Sequence, residues 1–320
     1  MSAAVQSGGR GTAGAGTTKG QVVYPAAALV ATGTGILSLG IVFYAAEVHG
    51  ASPAQIGCLA ATSSLCYVIG CALLRRLAER LRPQHNTVAA AAVMGLAVLL
   101  VLGCGHLLPV YLCYALYGLA TALFWPPLMA WLSTGLEGQS LNRTMGWFNV
   151  SWSCGGIAGP IIAGALAKRD ARLPVAAAGL LYLIAALYVA WSARRLQART
   201  AAAPRLAPLA DAATPGTAGD GLDHSTPLRY PAWVGLFAAY AVMGVVFNVF
   251  PLAAQDLLGL SKFAVGVVLF GRALTTSLAL GALGRSTVWH FRAGLMAAEL
   301  ALFALEIGRA SCRERVWTVV

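Results

Sequence analysis

An all-α, polytopic membrane fold is predicted by three features of this 320-residue sequence: its composition, its series of apolar runs, and the placement of its charges. Hydrophobic residues make up 58% of the chain and charged residues only 10%, a balance that a water-soluble domain could not cover with polar surface. The formal net charge is +11, yet the Lys and Arg residues fall between apolar stretches instead of forming a stripe interleaved with aromatics. A nucleic-acid partner is therefore not expected, and the bilayer itself is.

A helix crosses a hydrocarbon core of about 30 Å with about 20 apolar residues at about 1.5 Å each. Nine such runs occur, at 22–46, 54–74, 87–107, 110–132, 146–167, 173–193, 231–253, 263–284 and 293–306, the last being short. The first 21 residues, rich in Gly, Thr and Ser, read as a disordered cytoplasmic terminus, and the run that follows is too long for a signal-peptide core. With the N-terminus in the cytoplasm, fourteen basic side chains lie inside, among them Arg75, Arg76, Arg80, Arg82, Arg194 and Arg195, against four outside: Lys168, Arg169, Arg172 and Lys262. This is the positive-inside asymmetry. The cysteines at 58, 66, 71, 104, 113, 154 and 312 sit mostly inside apolar segments with no CxxC pair, and read as free thiols. No HExxH, GxSxG or phosphate-loop pattern occurs, so neither an enzyme nor a metal or other cofactor is expected.

The domains expected are a six-helix bundle at 22–195, a cytoplasmic linker at 196–229 rich in Ala, Pro, Thr and Gly, and a second, incomplete bundle of three helices at 230–306. A parallel repeat supports the division. Shifting the chain by 209 positions lays Gly35, Ala45, Gly50, Ser52 and Gly57 on Gly244, Ala254, Gly259, Ser261 and Gly266, and Glu47 on Asp256, so the end of the first span, its loop and the start of the second recur at the seventh and eighth.

Six spans, a long cytoplasmic loop and a parallel second half resemble the major facilitator superfamily. The fifth span strengthens the likeness. Gly146, Gly155, Gly159, Pro160 and Gly164 fall at the spacing of that superfamily's fifth-helix motif, with Ala163 where glycine is usual. The resemblance implies an antiporter motif that limits leak between two bundles, and hence efflux. Independently of any family, the three inner glycines would let a neighbouring helix approach closely, and Pro160 removes a backbone hydrogen bond. Gly70 and Arg75 match the superfamily's signature between spans two and three, but Leu74 stands where that signature has Asp. The inter-bundle charge relay which the resemblance implies therefore lacks its acid, and these arginines could serve only the positive-inside rule. The chain ends where a twelve-span carrier would continue, and 307–320, containing IGRASCRERV, resembles a translated sequencing adapter. It is expected to be an artefactual tail.

Ionisable groups within a span usually have a partner or a task. Arg272 lies about 14 Å into the eighth span, deep enough to bind an anionic group or pair with a proton-accepting carboxylate; an ion pair with Glu299 is the structural alternative. Glu47, Asp256 and Glu299 are the proton-coupling candidates, although Glu47 and Asp256 at helix ends could equally be solvated loop acids. Tyr44, Tyr67, Asn149, Tyr240 and Asn248 are polar groups in spans that line the central cavity in the resembled family, and each could instead make an ordinary interhelical contact. The function expected is secondary transport of a small molecule, by proton-coupled efflux in a monomer of a bacterial inner membrane. The alternatives are uptake of a sugar or organic anion, and a non-transporting or inactive fragment.

Overall fold

The protein is described by a computed structural model covering residues 9–136, 138–202 and 229–283, with scattered positions from 294 to 305. The described residues form helices and connecting turns with no strand among them. The order is α1 (Gly9–His49), α2 (Pro53–Leu73), α3 (Arg75–Arg80), α4 (Pro83–Val101), α5 (Leu107–Ser133), α6 (Gly138–Ala167), α7 (Arg172–Ala202), α8 (Arg229–Asn248), α9 (Phe250–Leu258) and α10 (Lys262–Leu283). Among the described residues seven stretches are long and apolar enough to cross a bilayer, and an eighth is added when the bent pair α8–α9 is counted as one span. In such helices every backbone hydrogen bond is closed within the segment, which a hydrocarbon solvent demands. Large apolar side chains such as Leu65, Leu96, Leu112 and Leu187 are exposed on their surfaces, a distribution that only a lipid environment makes inexpensive. The fold is an all-α polytopic membrane fold.

The helix boundaries differ from the apolar runs where local chemistry intervenes. Proline at the first helical position begins α2 at Pro53 and α4 at Pro83, because its missing N–H would have no intrahelical partner there. The third run was expected to reach 107, but its helix stops at Val101 and turns through Leu102–Gly105. Helix α1 begins at Gly9, inside the stretch expected to be disordered, since extending an existing helix is far easier than nucleating one. The seventh run is not one rod. It breaks at Val249 with a bend of 46°, where Pro251 can neither donate to, nor pack against, the preceding turn. Helix α5 runs through Pro126 and Pro127 without interruption. The expected ninth span at 293–306 and the tail at 307–320 lie largely or wholly outside the described residues.

The described parts of Met1–Pro204 and Gly244–Ser277 form one compact unit, and those of Arg205–Met243 and Leu278–Val320 a second. In the first unit α1 runs along α6 and α7, α4 packs on α5 and α7, and α2 on α5. Its interior is lined by Val30, Leu37, Phe43, Met94, Phe124, Leu128 and Val189, all fully buried. In the second, Gly235 on α8 approaches Leu300.

The repeat shift of 209 positions reappears as backbone geometry. Gly50 and Gly259 end α1 and α9 in the left-handed region, at φ 61° and 63°, a conformation open to glycine at no steric cost. The next amides reach back to equivalent carbonyls, Ala51 to Ala45 at 3.0 Å and Leu260 to Ala254 at 3.1 Å. Ser52 Oγ then accepts from the Gln55 amide and Ser261 Oγ from the Ala264 amide. Two stretches far apart in sequence thus end one helix and cap the next in the same way.

Candidate functional site

The polar and small residues of interest fall into four groups: a glycine seam, an ion-paired corner, a buried hydroxyl chain, and the surroundings of Arg272. The seam lies on α6. A Cβ placed on Gly159 would stand 2.5 Å from Gly35 Cα of α1, and one on Gly35 only 3.0 Å from Gly159 Cα. Gly155, one turn earlier, rests against the Ala28 carbonyl and Thr32 amide of α1. One turn later the same helix meets α10: a Cβ on Gly164 would lie 2.6 Å from the Lys262 carbonyl, and one on Gly266 the same distance from the Pro160 carbonyl. Glycine is required at these crossings because backbone touches backbone. Pro160 is buried between them and α6 continues through it. The seam does not extend to the first glycine of the motif, Gly146, which is exposed with nothing within 4 Å of where a Cβ would stand. Ala163, the departure from the motif, is fully buried.

At the Gly50 end of the unit, Lys262 opens α10 and its ammonium meets both carboxylate oxygens of Glu47, at 2.5 and 2.6 Å. It also donates to the Ala167 carbonyl, the last of α6, at 3.1 Å, where the partial negative charge of a helix C-terminus favours a cation. The Phe43 ring lies 5.9 Å away. One lysine therefore ties the ends of α1 and α6 to the start of α10. Glu47 is an ion-paired corner residue and not merely a solvated acid, and 215 positions of sequence separate it from its partner. Asp256, its repeat equivalent, is exposed near the end of α9.

The third group had no sequence signal. Tyr117 and Tyr182 share a hydroxyl hydrogen bond of 3.1 Å, and the Tyr182 hydroxyl also meets Thr34 Oγ1 at 3.2 Å. The chain links α5, α7 and α1 through the middle of the unit, and Tyr114 stacks on Tyr117 at 5.4 Å. Buried hydroxyls in hydrocarbon must find partners, and these find one another. Tyr44 is equally buried, and its hydroxyl donates to the Val101 carbonyl at 2.9 Å, joining α1 to the end of α4.

Arg272 is half-buried on α10 with its guanidinium 4.6 Å from the centre of the Phe247 ring, a cation–π geometry that offsets part of the cost of a charge within a span. Asn248, next to Phe247, donates to the Gly244 carbonyl one turn back at 2.7 Å. The remaining candidates are dispersed: Tyr67 is half-buried on α2, Asn149 exposed on α6, and Tyr240 exposed on α8. Glu299 lies outside the described residues. Gly70 is buried against Ala122 and Leu119 of α5, while Arg75 bonds Glu79 at 2.7 Å within α3, and this carboxylate raises its pKa above the usual arginine value. Among the described residues no group of three or more His, Cys, Asp or Glu is arranged to hold a metal, and the six described cysteines are free thiols.

No curated protein matches the sequence. A family model does: that of the Major Facilitator Superfamily matches residues 23–309. With its apolar helices in place and most of its length matched, the chain belongs to the Major Facilitator Superfamily of membrane transporters.

Proposed function

We propose that this transporter is a proton-coupled exporter of small amphipathic solutes, working as a monomer without a cofactor. Two bundles, 22–195 and 230–306, joined by the linker 196–229, would rock about a midplane cavity. The observation that supports export is the α6 seam, in which Gly155, Gly159 and Gly164 press backbone to backbone against α1 and α10. A surface sealed that tightly restricts solute and ion leak while the carrier changes state, which an exporter working against a gradient needs. Glu47, Asp256 and Glu299 are the carboxylates available for protonation, and Tyr44, Tyr67, Asn149, Tyr240, Asn248 and Arg272 the polar groups of the spans. The bias of basic side chains supports an N-terminus on the cytoplasmic side, and the membrane of this reading is a bacterial inner membrane.

The test is transport by the full chain in liposomes carrying an imposed pH gradient, with a panel of amphipathic fluorescent solutes and counterflow of protons read together. Solute accumulation in the acidic lumen, with protons leaving, is the expected result. Solute leaving the lumen together with the protons would overturn export. It would favour the second reading, uptake of a sugar or organic anion, which the position of Arg272 within α10 supports.

A further inference from the structure

Helix α3 is not used by any step above, and its chemistry is unlike that of the spans it joins. It lies between the last residue of α2, Leu73, and the first of α4, Pro83, so it sits where two membrane-crossing helices leave the hydrocarbon. Leu73, Leu77 and Leu81 recur every four residues and are 74%, 45% and 42% exposed. Arg75, Arg76, Arg80 and Arg82 interleave with them and are also exposed. The segment Arg75–Arg82 holds four arginines and one acid, a net charge of +3. That acid, Glu79, is taken by Arg75. Arg76 and Arg80 stand four residues apart on one side of the helix and Leu77 on the neighbouring side, while Leu81 follows as the C-cap residue in extended backbone.

We propose that α3 is an interfacial docking surface for anionic phospholipid headgroups, its leucines entering the acyl boundary and Arg76, Arg80 and Arg82 binding phosphate oxygens. Three arguments select that occupant. An exposed leucine row beside a row of arginines, at the bilayer surface, is the pattern of helices that lie in the interface. A guanidinium offers phosphate two parallel hydrogen bonds, which a zwitterionic headgroup offset by its own ammonium accepts less well. The charge is held at short range from the membrane by the two flanking spans, within the roughly 8–10 Å over which surface potential acts at physiological salt. This inference does not depend on the direction of transport.

The experiment equilibrates the purified full chain with mixed micelles containing equal amounts of phosphatidylglycerol and phosphatidylcholine and measures the lipid that stays bound. The chain should enrich phosphatidylglycerol. Enrichment should fall about tenfold or more in Arg76→Gln/Arg80→Gln/Arg82→Gln, given about fivefold per arginine near an anionic surface, and should also fall in high salt. Arg169→Gln/Arg172→Gln, at the opposite end of the spans, should leave it unchanged. The variants are compared at equal thermal stability in phosphatidylcholine alone. Undiminished enrichment in the triple variant, or enrichment that salt does not touch, would overturn the proposal.

Discussion

Replacing Gly159 by alanine puts one methyl group into the tightest crossing of the seam. That methyl would lie 2.5 Å from Gly35 Cα, 2.6 Å from Gly35 C and 2.8 Å from the Ile36 amide nitrogen. Ordinary contact begins near 3.4 Å, so α1 and α6 would have to separate by about 0.9 Å, and every atom pair along the crossing would forfeit part of its dispersion energy. None of the three atoms is the end of a flexible side chain, so no rotamer change can relieve the overlap. Overpacking of this kind costs about 1–3 kcal/mol. Gly156, three residues earlier on the same helix, has nothing within 4 Å of the equivalent methyl position, and Gly156→Ala should be neutral or stabilise by up to about 1 kcal/mol through helix propensity. The assay is equilibrium unfolding of the full chain in mild detergent, titrated with a denaturing one. Gly159→Ala should shift the midpoint down and Gly156→Ala should not. Equal effects of the two would refute the close-approach argument and leave only a general glycine effect.

Other parts of the site make separate predictions. In a double-mutant cycle of Glu47→Gln and Lys262→Met, stability measurements should show a coupling of about 0.2–1 kcal/mol, small because Glu47 is substantially exposed; zero coupling at low salt would show that the corner pair does not hold α10. Tyr182→Phe removes the hydroxyl shared by Tyr117 and Thr34, and should lower stability by about 1–3 kcal/mol, whereas Tyr67→Phe on the half-buried face of α2 should cost less, as a thermal melt of both would show. Gly50→Ala and Gly259→Ala each force alanine to a positive φ, and should cost about 1–2 kcal/mol apiece; a clear difference between them in unfolding midpoint would argue against equivalent caps. Arg272→Ala should abolish proteoliposome transport of an anionic solute without changing the free energy of unfolding by more than about 1 kcal/mol, if its charge serves solute and not packing.

The fold was legible from composition because a bilayer-spanning helix must be apolar along its whole length, and a run of hydrophobic residues cannot be mistaken for much else. Boundaries were less legible. Hydropathy averages over a window, and 231–253 reads as one apolar run although Pro251 splits it into α8 and α9. The helix-packing role of Gly155, Gly159 and Gly164 was readable because it depends on the absence of a side chain, which the sequence states outright. Which helices they would meet was not, and Gly35 and Gly266 had shown themselves only as small residues shared by the repeat. The Glu47–Lys262 pair and the Tyr117–Tyr182–Thr34 chain were invisible for the same reason: each joins residues brought together only by tertiary folding. Arg272 drew notice by its cost in a span, and Phe247, the ring beneath it, did not, since a phenylalanine in an apolar helix signals nothing by itself.

The glycine seam also differs from an ordinary core in its entropy. A leucine held between two helices gives up about 0.5–1 kcal/mol of rotamer freedom, while Gly35, Gly159, Gly164 and Gly266 have no χ angle to freeze. The crossings of α6 with α1 and α10 are therefore close without being interlocked. A small slide of one helix along another exchanges one strip of backbone surface for the next, with no side chain to be withdrawn from a socket, so contact and mobility need not oppose each other along this helix.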